Sequence, residues 1–242
     1  MEYEDDGDVE DVQERPNKGY DAGFLWLDQF ETYSKRMRTK GKRPKGYPRG
    51  AVIHYTSGRD NFTPIESGID DGYCFNLITG NGKVWQTHPL DEWGNHAGKA
   101  SWKGSSLINT VCVGIEVTSA GLLTPEQPEL VKKGTVPWET TACPARAWFE
   151  KDFSWQPIRR GGDSNAAEGF YAPFTHEQVS SLTEYLIALK YNNPEIFDFD
   201  WVVGHDEVSP GRKTDPGACM PCSMPVYREQ LKQLYKERYG SV

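Results

Sequence analysis

The stretch Trp201-Val-Val-Gly-His205-Asp-Glu-Val-Ser-Pro-Gly-Arg-Lys213-Thr-Asp215-Pro-Gly217 constrains the fold more than any other part of the chain. Its apolar opening reads as a short strand that ends on a histidine. A Pro-Gly turn follows, then a lysine, an aspartate and a second Pro-Gly. A histidine at a strand end and an aspartate on the next loop can meet at one metal, since imidazole nitrogen and carboxylate oxygen both suit zinc at about 2.0–2.2 Å. A catalytic zinc takes three protein ligands and leaves a fourth position for water. Of the remaining histidines, His54 lies near the end of a second apolar strand, Ala51-Val-Ile-His54-Tyr55-Thr56. The candidate metal set is therefore His54, His205 and Asp215. Either histidine alone would read as an ordinary, partly buried side chain.

Other pieces carry their own signals. Phe75-Asn-Leu-Ile-Thr-Gly-Asn-Gly-Lys-Val-Trp85 is a strand-turn-strand, with Gly80-Asn81-Gly82 as the turn. Val111–Val117 is a β-rich run that places one ionisable residue, Glu116, where an interior strand should be apolar. These two runs, Val52-Ile-His54-Tyr55, His96-Ala-Gly-Lys-Ala-Ser-Trp102-Lys-Gly and the 204–217 stretch stand in one order along the chain. In that order they resemble the zinc-dependent N-acetylmuramoyl-L-alanine amidases. This family includes phage lysins, the cytoplasmic amidase of cell-wall recycling and the peptidoglycan recognition proteins. The likeness covers roughly residues 50–120 and 174–217, and its last piece is the most specific.

The resemblance implies one zinc per chain, held by His54, His205 and Asp215. It implies Glu116 as the general base that takes the proton of water and returns it to the leaving amine. Lys213 becomes an electrostatic donor to the oxyanion, and His96, Trp102 and Asn109 become residues of the substrate groove. Some phage members use a tyrosine on the hairpin strand. A gap-free match places Cys74 there, beside Tyr73, so that role is not carried over. His88 and His176 read as non-catalytic. The implied substrate bond joins N-acetylmuramic acid to L-alanine in bacterial peptidoglycan, most like a phage endolysin. Action on soluble muropeptides and non-catalytic peptidoglycan binding are the alternatives.

The element pattern gives an α/β (α+β) fold, a mixed central sheet flanked by helices, which agrees with the fold the resemblance implies. Phe24, Leu27, Phe30, Tyr33 and Met37 recur every three or four residues and predict an amphipathic helix over 22–37. Strands are expected at 51–55, 73–79, 83–87, 111–117 and 201–205. Thr175-His-Glu-Gln178 is a capping box that opens a helix to about Tyr191, and a last helix runs from about Pro225 to Tyr239. Residues 119–173 show little periodicity and hold many prolines and aromatics. A loop of that length tends to be a lid or binding element. The expected organisation is an acidic tail over 1–20, a helix and basic linker over 21–50, and an amidase domain over 51–242 with the insertion at 119–173.

Charge bears on partners. Residues 1–14 hold eight acids and no bases, which accounts for the net charge of −8, and the rest of the chain balances. Between Lys35 and Arg49 there are eight bases and no acid, a run that could meet an anionic surface. Poor aromatic interleaving and a pI near 5.2 argue against nucleic acid as the partner. No apolar run approaches the ~20 residues of a membrane span, and the first residues have no secretory-signal pattern. The expectation is cytoplasmic synthesis of a monomer that reaches the wall after release. Five cysteines without such a signal are expected to be reduced thiols. Cys219-Met-Pro-Cys222 has metal-ligand spacing but no second such pair.

Overall fold

Ala51, Val52, Ile53, Val113 and Ile115 are all fully buried, so the two strands that carry them are covered on both faces, as interior parallel strands are. The computed structural model describes residues 25–57, 63–125, 138–140, 159–161 and 169–240. In chain order the elements are β1 (Glu31–Thr32), β2 (Gly41–Lys42), β3 (Gly50–Tyr55), α1 (Thr63–Asp71), β4 (Asn76–Ile78) and β5 (Val84–Gln86). Then come β6 (Glu92–Trp93), α2 (Ile108–Val111), β7 (Cys112–Val117), β8 (Leu122–Pro125), β9 (Trp138–Thr140), β10 (Arg159–Gly161) and β11 (Gly169–Tyr171). α3 (His176–Asn192), β12 (Val202–Gly204), α4 (His205–Val208) and α5 (Met224–Tyr239) complete the chain.

A six-stranded mixed sheet in the order β1-β5-β4-β7-β3-β12 forms the centre. Helices α3 and α5 cover one face, where Leu182, Leu186, Leu189 and Leu231 pack on Ile53, Val113, Ile115 and Val117. The other face is covered by α1 through Ile65 and by α2 through Ile108. α3 opens on the expected capping box, with Thr175 accepting from Gln178 N and the Gln178 side chain accepting from Thr175 N. α5 ends at Gly240, whose φ of 78° is the left-handed cap that glycine adopts without strain. The β4–β5 hairpin turns at Gly82, also at positive φ.

The helix over 22–37 is not formed in its described part, residues 25–37, which run as turns and the short β1 along the sheet edge. Gln86 explains this, because its side-chain amide accepts from Leu27 N and donates to Leu27 O, both at 2.9 Å. Further along, Tyr33 N and Met37 N donate to the carbonyls of Gln86 and Thr87. The chain's backbone groups are thus satisfied by the sheet edge rather than within a helix. Its apolar residues also divide, Leu27 entering one core and Met37 another. The acidic tail lies outside the described residues. The basic run is mostly engaged within the protein: Arg43 is buried and donates to the carbonyls of Leu90, Thr110 and Cys112. Lys42 contacts Asp91 and Glu92, and Arg49 stacks on Trp201 at 3.9 Å.

Residues 119–173 are not a plain loop. Their described segments form a four-stranded antiparallel sheet in the order β10-β11-β8-β9, and Tyr171 is fully buried in the main core. Strands of three or four residues are too short to show periodicity in sequence. Cys219 is buried beside Ser119, and Cys222 is half-buried with its thiol toward Gln230; neither is in a disulfide. Among the described residues no helix is long and apolar enough to cross a membrane.

Candidate active site

Strand register assembles the site. β12 pairs with β3 so that Gly204 stands opposite Ile53, which brings His205 level with His54. β7 pairs with β3 so that Glu116 stands opposite His54, and β4 places Leu77 opposite Glu116. Residues level across a sheet share a face. His205, His54 and Glu116 therefore form one row on the face away from α3 and α5.

Asp215 comes to this row from the loop after α4. Its carbonyl accepts from Asp206 N at 2.8 Å, and the neighbouring Thr214 hydroxyl meets Tyr55 OH at 2.5 Å. His54 Nδ1 lies 2.9 Å from His205 Nδ1, and both lie 2.8 Å from Asp215 Oδ2. All three residues are buried. His205 Nε2 is 2.9 Å from the Ala97 carbonyl. A carbonyl only accepts, so Nε2 carries the hydrogen, and Nδ1 is the nitrogen turned toward the cluster as the metal-binding tautomer requires. Two imidazole nitrogens and a carboxylate oxygen, converging with a ring proton turned away, are a donor set that fits zinc.

Electrostatics agree with that assignment. Burial pushes His54 down to about 4, against the opposing effect of the Asp215 carboxylate beside it, which keeps the imidazole neutral near pH 7. Burial alone would raise Asp215, but its contacts with His205 and His54 outweigh that and hold it below the usual carboxylate range. Glu116 goes the other way. Burial first, and then the charge of Asp215, raise it well above the ordinary value, with Lys213 opposing. Its Oε2 is buried and has no hydrogen-bond partner.

A cavity of about 400 Å³ opens over the row. His54, His205, Asp215, Glu116, Lys213 and His96 all line it, so six of the eight residues singled out in the sequence meet there. Trp102 and Asn109 do not line it. The Trp102 indole N–H donates to the Asp200 carbonyl at 3.0 Å, beneath the Arg228 guanidinium. Asn109 Oδ1 accepts from His96 N and Ala97 N, at 2.9 and 2.8 Å. His88 is buried against Thr87 and pushed down to about 3 by burial, and His176 is exposed at the start of α3.

A family profile described as N-acetylmuramoyl-L-alanine amidase matches residues 43–218. The chain belongs to this amidase family. It is 25% identical over 214 residues to the N-acetylmuramoyl-L-alanine amidase AmiD of Escherichia coli K12, a match covering 83% of this chain and 60% of that protein. The chain thus spans about 60% of the length of this curated relative. Among solved structures, a selenomethionine derivative of AmpD has a TM-score of 0.50 at 20% identity, covering 86% of this chain and 97% of the other. A complex of E. coli AmiD with the substrate anhydro-N-acetylmuramic acid-L-Ala-D-gamma-Glu-L-Lys has a TM-score of 0.50 at 20% identity, covering 85% and 62%. These structures share the mixed central sheet flanked by helices.

Sequence reading missed several residues of the cavity. Tyr73 lines it and is 48% exposed, whereas its neighbour Cys74 is buried against Met37 and Ile65. Phe75 and Ser57 also line it. So does Arg212, whose guanidinium donates to the carbonyls of Ala97 and Lys99 and to Ser209 Oγ at 2.7–2.9 Å, joining two loops of the rim. Arg212 lies within the 201–217 stretch, so a basic residue between two candidate ligands was the available signal. Tyr73 and Ser57 enter through loop geometry, which no local pattern announces.

Proposed function

We propose that this chain is a zinc-dependent amidase that hydrolyses the bond between N-acetylmuramic acid and L-alanine in peptidoglycan. The convergence of His54 Nδ1, His205 Nδ1 and Asp215 Oδ2 within 2.9 Å, in one cavity with the unpartnered Glu116 Oε2, carries this reading. A zinc ion on these three ligands, one per chain, would supply a Lewis acid that polarises the amide carbonyl and acidifies water. Glu116 takes the proton from the attacking water on its unpartnered oxygen. It then delivers that proton to the amine of the departing L-alanine. Lys213, exposed at the rim, sets its ammonium beside the developing oxyanion.

For the form of the substrate we favour wall polymer, acted on by a monomer in the manner of a phage lysin. The four-stranded sheet supports this, since β10 and β11 pack against the turn Gly217–Cys219 just after Asp215, where they can extend the cavity wall. Of the basic run, Lys35, Arg38 and Lys40 are exposed and able to meet wall anions. Tyr171 and Ala120 belong to the buried core, so the informative deletion is confined to residues 126–168. It should impair the clearing of cell-wall suspensions far more than the cleavage of a soluble muramyl peptide. Equal loss on both substrates in a folded variant would make the insertion structural and end the polymer argument, whereas wild-type protein that cleaves only soluble fragments would favour action on soluble muropeptides.

The activity itself is tested by digesting purified walls with zinc-loaded protein and identifying products by mass. The expected products are stem peptides with a free L-alanine amine and glycan that keeps its lactyl carboxylate. Cleavage of a different bond, or binding without cleavage, would refute the proposal.

A further inference from the structure

His96 lines the cavity, yet both of its ring nitrogens face protein atoms. Nε2 lies 3.1 Å from the Cys112 carbonyl, and Nδ1 lies 3.3 Å from His54 Nε2. Three features hold the ring there. Asn109 clamps the backbone beneath it, accepting from His96 N and Ala97 N and donating to the Gly98 carbonyl at 3.2 Å. Gly114, inside a strand, leaves room for the ring, because a Cβ there would come within 2.7 Å of His96 Cγ. The Cys112 carbonyl then fixes the far edge.

The proton order along this chain of contacts follows from which atoms can donate. The Cys112 carbonyl only accepts, so His96 Nε2 carries the hydrogen. Among the described residues the polar contacts of this ring are a carbonyl and an imidazole, with no carboxylate to hold a second proton, so the ring is neutral and Nδ1 is a bare acceptor. His54 Nε2 must then be the donor between the two rings. The remaining nitrogen of His54, Nδ1, keeps its lone pair on the side of His205 and Asp215. The reverse order would put a proton on Nδ1, in the middle of the three donor atoms.

We infer that His96 is a positioning residue, which takes the proton of His54 Nε2 in a hydrogen bond and so holds His54 Nδ1 free as a metal donor. This replaces the reading of His96 as a residue of the substrate groove, and it rests on the zinc site proposed above. Losing such an outer partner of a metal-ligating histidine typically costs 10–100-fold in metal affinity.

The test is zinc affinity, measured by competition with a chelator, for wild type and for His96→Leu, His96→Asn, Gly114→Ala and His54→Ala, each checked for folding by circular dichroism. His96→Leu should bind zinc about 10–100-fold more weakly. His96→Asn, which keeps an acceptor oxygen near the place of Nδ1, should recover most of that loss. Gly114→Ala keeps the imidazole but pushes it off the sheet, so it should weaken zinc as well and decides the matter if His96→Leu does not fold. Wild-type zinc affinity in folded His96→Leu or Gly114→Ala, with a raised KM alone, would return His96 to the substrate groove. His54→Ala separates the two levels: if it keeps full zinc, the metal site itself is wrong. If it loses zinc while the His96 and Gly114 variants do not, only the positioning role fails.

Discussion

The two faces of the central sheet are built by the same strands and obey different constraints. Toward α3 and α5, β3 and β7 present Ala51, Ile53, Val113, Ile115 and Val117, all fully buried in one apolar cluster. Toward the cavity the alternate residues are Val52 and His54 on β3, and Gly114 and Glu116 on β7. The first face is held by volume and apolar area. The second carries buried polar groups, each of which has to be paired, kept neutral or left unpartnered for chemistry. A register slip of one residue would exchange the two sets and lose both core and site. Strands buried on both faces can thus hold a row of polar side chains with little freedom of movement.

This contrast can be broken by substitutions on either face. Glu116→Gln should lower kcat by about 10²–10⁴-fold while zinc content is unchanged. Its thermal midpoint should not fall, because an amide avoids the cost of a desolvated carboxylate. A variant with near wild-type kcat would remove Glu116 from the chemistry. On the opposite face, Leu186→Ala should cost about 2–5 kcal/mol in urea unfolding, with zinc still bound by the folded fraction. Loss of zinc from the folded fraction would show that the faces are not separable.

Asp200→Asn should do least. Hydrogen bonds from Lys232 and then Lys103 hold this carboxylate down to about 2, but its side chain is 42% exposed. Its folded pKa is depressed, so its contribution is present above about pH 4 and fades as the pH falls toward 2. Exposed pairs of this kind are worth under about 1 kcal/mol and weaken with salt. A larger, salt-independent loss would mean that this edge of the sheet depends on the lysine pair.

The legible parts of the sequence were those where one residue breaks a strong pattern. His54 and His205 end apolar runs, and Glu116 interrupts a β-rich one; parallel pairing then puts them in one row. The capping box at Thr175 and the Gly-Asn-Gly turn are local devices that act the same way in any context. Where the structure departs from what the sequence suggested, the origin is different. Leu27, Phe30 and Met37 have helical spacing, but a remote side chain, Gln86, takes the backbone of Leu27. Asn109 and Trp102 stand in recognisable motifs, yet their polar atoms go to backbone groups of neighbouring loops. Contacts between residues distant in sequence decide such cases, and a single sequence does not display them.

The central claim, that His54, His205 and Asp215 form one metal centre, is tested most directly by zinc stoichiometry. Protein purified with zinc and dialysed should contain one zinc per chain by elemental analysis, and His54→Ala and His205→Ala should each retain almost none while remaining folded. Full zinc occupancy in either folded single variant would contradict the assignment.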